Sequence, residues 1–204
     1  MFFWGSLMSY IVLGGLGFVL FCFYDLNSII WKSKFVHFFF LLGLMSIGLS
    51  TISAIWSFRD IILANFGQKY GWLALAIAFM ALLIHALFFA LPFENTYLKD
   101  TPNRVYTEGV YALCRHPGVL WFFGLYMSLY LLIERPLMLM IAIAFSVFNF
   151  LYIVLQDLWT FPKTFVDYDV YKQKVPFLIP NPSSIRRCLS TFKHKTGGTY
   201  EFKK

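Results

Sequence analysis

Five apolar stretches, at 3–23, 35–56, 71–91, 118–133 and 137–155, take up half of the chain and contain almost no charge. A helix needs about 20 apolar residues to cross the hydrocarbon core of a bilayer. All five are read as spans, the one at 118–133 being short. In lipid every backbone N–H and C=O must be satisfied within the segment, so runs of this kind predict helices. Arg135-Pro136 predicts a tight turn between the last two stretches, which then read as an antiparallel helical hairpin. The expected fold class is all-α integral membrane, with about five transmembrane helices. Composition agrees, because only 13% of the 204 residues are charged, against about 25% in ordinary soluble domains. A soluble domain of this length could not hide that much apolar surface. The first stretch has no charged leading region and no small-residue cleavage site, so it is read as a span and not as a removed signal.

An odd number of spans puts the two termini on opposite sides. With the C-terminus inside, fourteen of the seventeen Lys and Arg residues are cytoplasmic and only Arg59, Lys69 and Arg135 lie outside. That division follows the positive-inside rule. The expected location is a bacterial cytoplasmic membrane, N-terminus outside. Three regions follow: N-terminal spans at 1–93, a core of connector, hairpin and C-terminal segment at 94–181, and a basic tail at 182–204. Arg186, Arg187, Lys193 and Lys195 of the tail suit an anionic leaflet, each worth about 1 kcal/mol of attraction. Membrane lipids are therefore expected partners. No nucleic-acid-binding motif accompanies the charge, and no nucleic-acid partner is expected. Cys22, Cys114 and Cys188 are far apart, which argues against a disulfide framework and against a metal site.

Polar residues collect in two segments, the connector 94–117 and the run from Gln156-Asp157 to Cys188, both cytoplasmic in this topology. The connector carries Tyr97, Tyr106 and Tyr111, a turn at Thr101-Pro102-Asn103, and Arg115-His116-Pro117 at the membrane boundary. Tyr111 and Arg115 are four apart and would share a helical face. On position alone Arg115 reads as a snorkelling anchor and His116 as a polar interfacial residue. His85 lies within the third stretch, where an ionisable residue is costly. It reads either as a neutral imidazole bonded between helices or as a contact in an acceptor's tunnel. Gly14, Gly15 and Gly17 follow no strand and read as a close helix-packing face.

The ordered set Gly109-Val110-Tyr111, Arg115-His116-Pro117, a hairpin, a polar pair, then Tyr168, Tyr171, Val175-Pro176 and Ile179-Pro180 resembles a known family. It is similar to the membrane-embedded methyltransferases of the isoprenylcysteine carboxyl methyltransferase and phospholipid N-methyltransferase type. The resemblance runs from about Asn103 to Pro180. It implies S-adenosylmethionine as methyl donor, bound in a cytoplasmic pocket, and a lipophilic or lipid-linked acceptor entering from the bilayer. It implies Tyr111, His116 and Pro117 as cofactor wall, with Arg115 adjacent. Asn103, Arg104, Val105, Tyr106, Gly118 and Val119 stand at the positions of further contacts. An aromatic ring can stack on adenine or face a sulfonium, and a guanidinium can pair with a carboxylate.

The chain departs from that pattern at informative places. The family's acidic pair is Gln156-Asp157 here, and an arginine on its substrate side is Tyr152. Tyr152 and Gln156 share a helical face. Asp157 is turned about 100° from Gln156 on a helix. The tail's usual Phe-Gly is Thr164-Phe165. Two other functions stay open at this point: a non-catalytic or degenerate membrane scaffold, and a nicotinamide-dependent membrane reductase using Arg104 and Lys99 on a 2′-phosphate. A transporter would be expected to show internal repeats and intramembrane charge pairs, and neither is evident.

Overall fold

The computed structural model describes residues 2–64, 66–89 and 104–197. Among them every regular element is helical. In chain order these are α1 (Phe2–Leu26), α2 (Phe38–Ser57), α3 (Arg59–Ala64), α4 (Phe66–Ile84), α5 (Val110–Leu113), α6 (Pro117–Ile133), α7 (Pro136–Leu155), α8 (Phe161–Thr164), α9 (Tyr168–Lys174) and α10 (Pro182–Gly197). Among the described residues four helices are long and apolar enough to cross a membrane: Leu7–Trp31, Phe35–Ser57, Lys69–Phe89 and Pro136–Thr164. At 17 residues α6 rises about 25 Å, short of the roughly 30 Å of a hydrocarbon core. The outer faces are apolar, with Leu16, Ile52, Ile77, Ile143 and Val147 all exposed. Exposed apolar area on this scale marks a surface made for another apolar phase.

Small residues let the helices approach. A Cβ built on Gly17 would lie 2.7 Å from the carbonyl oxygen of Gly43, and one on Gly43 2.8 Å from that of Gly17. Side by side with that contact, Ser46 Oγ donates to the carbonyl of Leu13 at 2.5 Å and Ser50 Oγ to that of Tyr10 at 2.8 Å. These pairs climb α2 as they descend α1, so the two run antiparallel. Gly14 of α1 faces the ring of Phe145 on α7, and Asp25 faces Gln156, the same offset of 131 residues. A constant offset means that α1 and α7 run parallel. On the other flank Leu83 meets Gly118, Phe79 stacks near Trp121, and Lys69 pairs with Glu134 at 2.8 Å. That order makes α4 antiparallel to α6. The aromatic centre where α1, α6 and α7 meet is Phe18, Phe122, Tyr126 and Phe145, with ring centroids 4.6–6.3 Å apart.

The glycine-packing expectation is met at Gly14 and Gly17. The expected helix ends are not. The first and last stretches, read as closing at 23 and 155, continue through π-helical turns at Asn27–Trp31 and Gln156–Thr160, and α4 continues through another at His85–Phe89. The reason is that the polar residues there are satisfied by their neighbours. Asn27, fully buried, donates from Nδ2 to the carbonyl of Ser33 at 2.9 Å and accepts from the Ser33 N–H at 2.8 Å. Lys32, in the left-handed region at φ 51°, closes that turn by donating to the carbonyl of Asn27 at 2.7 Å. All three π turns sit at one end of the bundle. Such turns are rare and recur at functional sites.

Candidate functional site

The end of the bundle that carries the π turns also holds the N-terminus of α6 and the chain that follows α7. Pro117 starts α6, where its missing N–H costs nothing. Arg115 and His116 make the bend just before the helix, after extended Cys114. The Arg115 N–H donates to the carbonyl of Pro176 at 2.9 Å, tying this turn to the Val175-Pro176 corner.

Asp157 is the hub. It is 4% exposed, and its carboxylate accepts from Arg115 Nη1 at 3.0 Å, from the Tyr168 hydroxyl at 2.6 Å and from His116 Nε2 at 3.2 Å. Lys172 Nζ stands 3.5 Å from its other oxygen. The His116 ring stacks parallel to Phe161 at 5.8 Å and meets Phe177 edge-on at 5.2 Å. The Arg115 guanidinium lies over Phe177, 5.3 Å from its centroid. One residue earlier, Gln156 turns elsewhere: its Nε2 donates to Asp25 at 2.9 Å and to the Tyr152 hydroxyl at 2.8 Å. The rotation expected between positions 156 and 157 thus sends two adjacent polar side chains into two clusters.

The connector and tail are sewn together by further bonds. The Tyr171 hydroxyl donates to the carbonyl of Tyr111 at 2.7 Å, and the Tyr111 hydroxyl to that of Ala86 at 2.9 Å. The Val105 N–H donates to Asp167 at 2.9 Å, and the Gly109 N–H to Thr191 of α10 at 3.0 Å. Gly109 adopts φ 59°, a conformation that costs glycine little. Among the described residues, two buried polar atoms of this region lack hydrogen-bond partners, Arg115 Nε and Thr160 Oγ1.

Of the residues singled out in the sequence, Tyr111, Arg115, His116, Pro117 and Asp157 come together with Tyr168, Tyr171 and Val175-Pro176. Tyr106 stands beside Tyr111, its ring edge-on at 6.3 Å. Val105 and Val119 are half-buried nearby, and Gly118 lies under Leu83. Arg104 is exposed. Asn103 and Lys99 lie outside the described residues. Tyr152 and Gln156 belong to the second cluster. His85 is exposed at the start of its π turn, not buried between helices. A π turn has more residues per turn than an α-helix, and it brings Ala86 inward instead.

Asp25, Phe161, Lys172 and Phe177 carry parts of the site that no motif contained. For Asp25 a signal existed, a lone carboxylate at the end of an apolar run with no base beside it.

Burial holds His116 below its ordinary value of 6.5, outweighing the pull of Asp157, with Arg115 also favouring the neutral ring. A histidine with a depressed folded-state value contributes stability above its unfolded value and loses it as pH falls through that range. The prediction is that wild-type protein in detergent melts lower at pH 5.5 than at pH 7.5 by a wider margin than His116→Gln. Equal margins would remove His116 from the explanation. Burial also pushes the Cys114 thiol up to about 11, which leaves it an unreactive packing residue.

Comparison with protein-family models, with curated proteins and with solved structures finds no match.

Proposed function

We propose that this chain is an integral membrane methyltransferase that uses S-adenosylmethionine and acts on a lipophilic acceptor. The observation that carries this reading is the hub at Asp157. It joins the Arg115-His116-Pro117 turn to Tyr168 of the tail, some 50 residues on, and the Arg115 N–H joins the same turn to the Val-Pro corner. Those are the segments through which the sequence resembles the membrane methyltransferases. In this reading α6 is a fifth crossing, α6 and α7 form the hairpin, and the π-turn end faces the cytoplasm. The helix directions support that topology, since Lys32, Lys34, Arg115 and Lys163 fall at the site end while Arg59, Lys69 and Arg135 fall at the other.

The residues present fit the donor. Arg115 keeps a buried Nε free of protein partners among the described residues, suited to the donor's carboxylate. Phe161, Phe177 and Tyr106 offer ring surfaces for a nucleoside. Bound S-adenosylmethionine would supply a methyl group activated by its sulfonium. The chain's own task is to hold nucleophile and donor in line and to keep water out. Asp157 contributes by fixing the rotamers of Arg115 and His116, and as such is a positioning residue.

The test is calorimetry on detergent-purified protein with S-adenosylmethionine, S-adenosylhomocysteine and NADPH. The expected result is saturable binding of both nucleosides, weakened at least about tenfold, or 1.4 kcal/mol, in His116→Ala and unchanged in Lys195→Ala. Failure of folded wild-type protein to bind either nucleoside, or binding of NADPH in their place, would overturn it.

A further inference from the structure

The cluster around Asp25 is separate from the Asp157 hub and different in kind. Asp25 ends α1, is 6% exposed, and accepts from the Gln156 amide at 2.9 Å; the same amide donates to the Tyr152 hydroxyl at 2.8 Å. The donor is neutral. Among the described residues no Lys, Arg or His pairs with Asp25, whereas Asp157 has Arg115, Lys172 and His116. An ionised carboxylate has room for about four hydrogen bonds, and Gln156 supplies one. A buried carboxylate without a cation is expensive to keep. Replacing it with an apolar side chain would fill the same space, so the charge calls for an explanation beyond packing.

The surroundings indicate what would complete it. Tyr152 packs on Phe21 at 5.6 Å, Phe21 on Phe40 at 5.4 Å, and Phe40 on Tyr24 at 5.4 Å. A carboxylate set among aromatic rings is the chemistry that recognises an alkylammonium, through one ion pair and cation–π attraction. Position 156 is where the resemblance leads one to expect a glutamate. Here the amide of Gln156 points at a carboxylate brought in by α1.

We infer that Asp25, held by Gln156, is the anionic half of a binding site for an ammonium group. Two sources of it are an amino-acid end, such as that of the methyl donor, and the headgroup of an aminophospholipid of the bilayer. The donor alternative rests on the methyltransferase reading, and the lipid alternative does not.

The experiment compares wild type with Asp25→Asn, in detergent at pH 7.5, using two matched pairs of probes. S-adenosylhomocysteine carries the ammonium and methylthioadenosine lacks it. Phosphatidylethanolamine carries one and phosphatidylglycerol lacks it. The expected result is a loss of at least about tenfold for one ammonium-bearing probe in Asp25→Asn, with its partner unchanged. Loss confined to S-adenosylhomocysteine assigns the site to the donor. Loss confined to phosphatidylethanolamine assigns it to a lipid, and does so even if wild type ignores both nucleosides, an outcome that sinks the methyltransferase proposal and leaves this one standing. Asp25→Asn keeps the shape of the side chain and is expected to melt no lower than wild type. Should it fail to fold, wild type alone decides, because a protein that does not discriminate within either pair overturns the inference. Equal binding by wild type and variant overturns it as well.

Discussion

Asp157→Asn is expected to destabilise the folded protein by about 3–5 kcal/mol, the cost of breaking one partner out of a buried ion pair. The size follows from what is left behind. The Arg115 side chain is 10% exposed and would keep its charge with no carboxylate to meet it. The Tyr168 hydroxyl and His116 Nε2, both bonded to Oδ1, would share an uncharged amide oxygen in its place, with the amide NH2 facing Arg115. Lys172, at 30% exposed, can turn to water, so its loss adds little. The reading that the penalty comes from stranded charge has its own check. The pair Arg115→Met with Asp157→Leu should be less destabilising than Asp157→Asn alone, since neither charge remains. Thermal unfolding in detergent, followed by circular dichroism, ranks the three. If the double variant is the worst, the cluster is held by packing and not by charge.

The parts of this architecture that were legible in the sequence are those fixed by one-dimensional physics. Apolar length gave the helices, because a run such as 137–155 has few other ways to satisfy its backbone in lipid. The glycines of α1 marked close helix approach, which falls on two partners: Gly14 meets Phe145 of α7 and Gly17 meets Gly43 of α2. Motif order gave the hub, because Arg115, His116 and Asp157 were already marked. What stayed hidden depends on contacts between distant segments. Asp25 and Gln156 are 131 residues apart and meet only because α1 and α7 run parallel, which no local pattern encodes. The π turn was equally invisible: it turns Ala86 inward and leaves His85 exposed, which rules out only the imidazole buried between helices. Tyr168 and Lys172 are one helical turn apart on α9, yet their meeting with Asp157 depends on how the tail folds back.

Gly14→Ala is expected to cost about 1–3 kcal/mol, and to weaken the Asp25 contact as well. A Cβ at position 14 would overlap the ring of Phe145. That ring has nowhere to go: it is fully buried, with Phe18 at 6.3 Å and Tyr126 at 5.3 Å. So the backbone of α1 must move off α7. Gly15 provides the control, since a Cβ there would come only within 3.2 Å of Phe148, a half-buried ring that can give way. Gly15→Ala should therefore melt close to wild type. Asp25 lies eleven residues along the same helix, about 16 Å away, and meets Gln156 in the register that Gly14 sets with Phe145. A helix pushed away at one contact does not keep a 2.9 Å hydrogen bond three turns on unless it bends. Gly14→Ala should then lose affinity for whichever ammonium probe Asp25 recognises, and Phe145→Leu in the same chain should restore part of both stability and affinity. If Gly14→Ala lowers the melting temperature while ammonium binding holds, α1 flexes between the two contacts, and the site draws its rigidity from the Asn27–Ser33 turn instead.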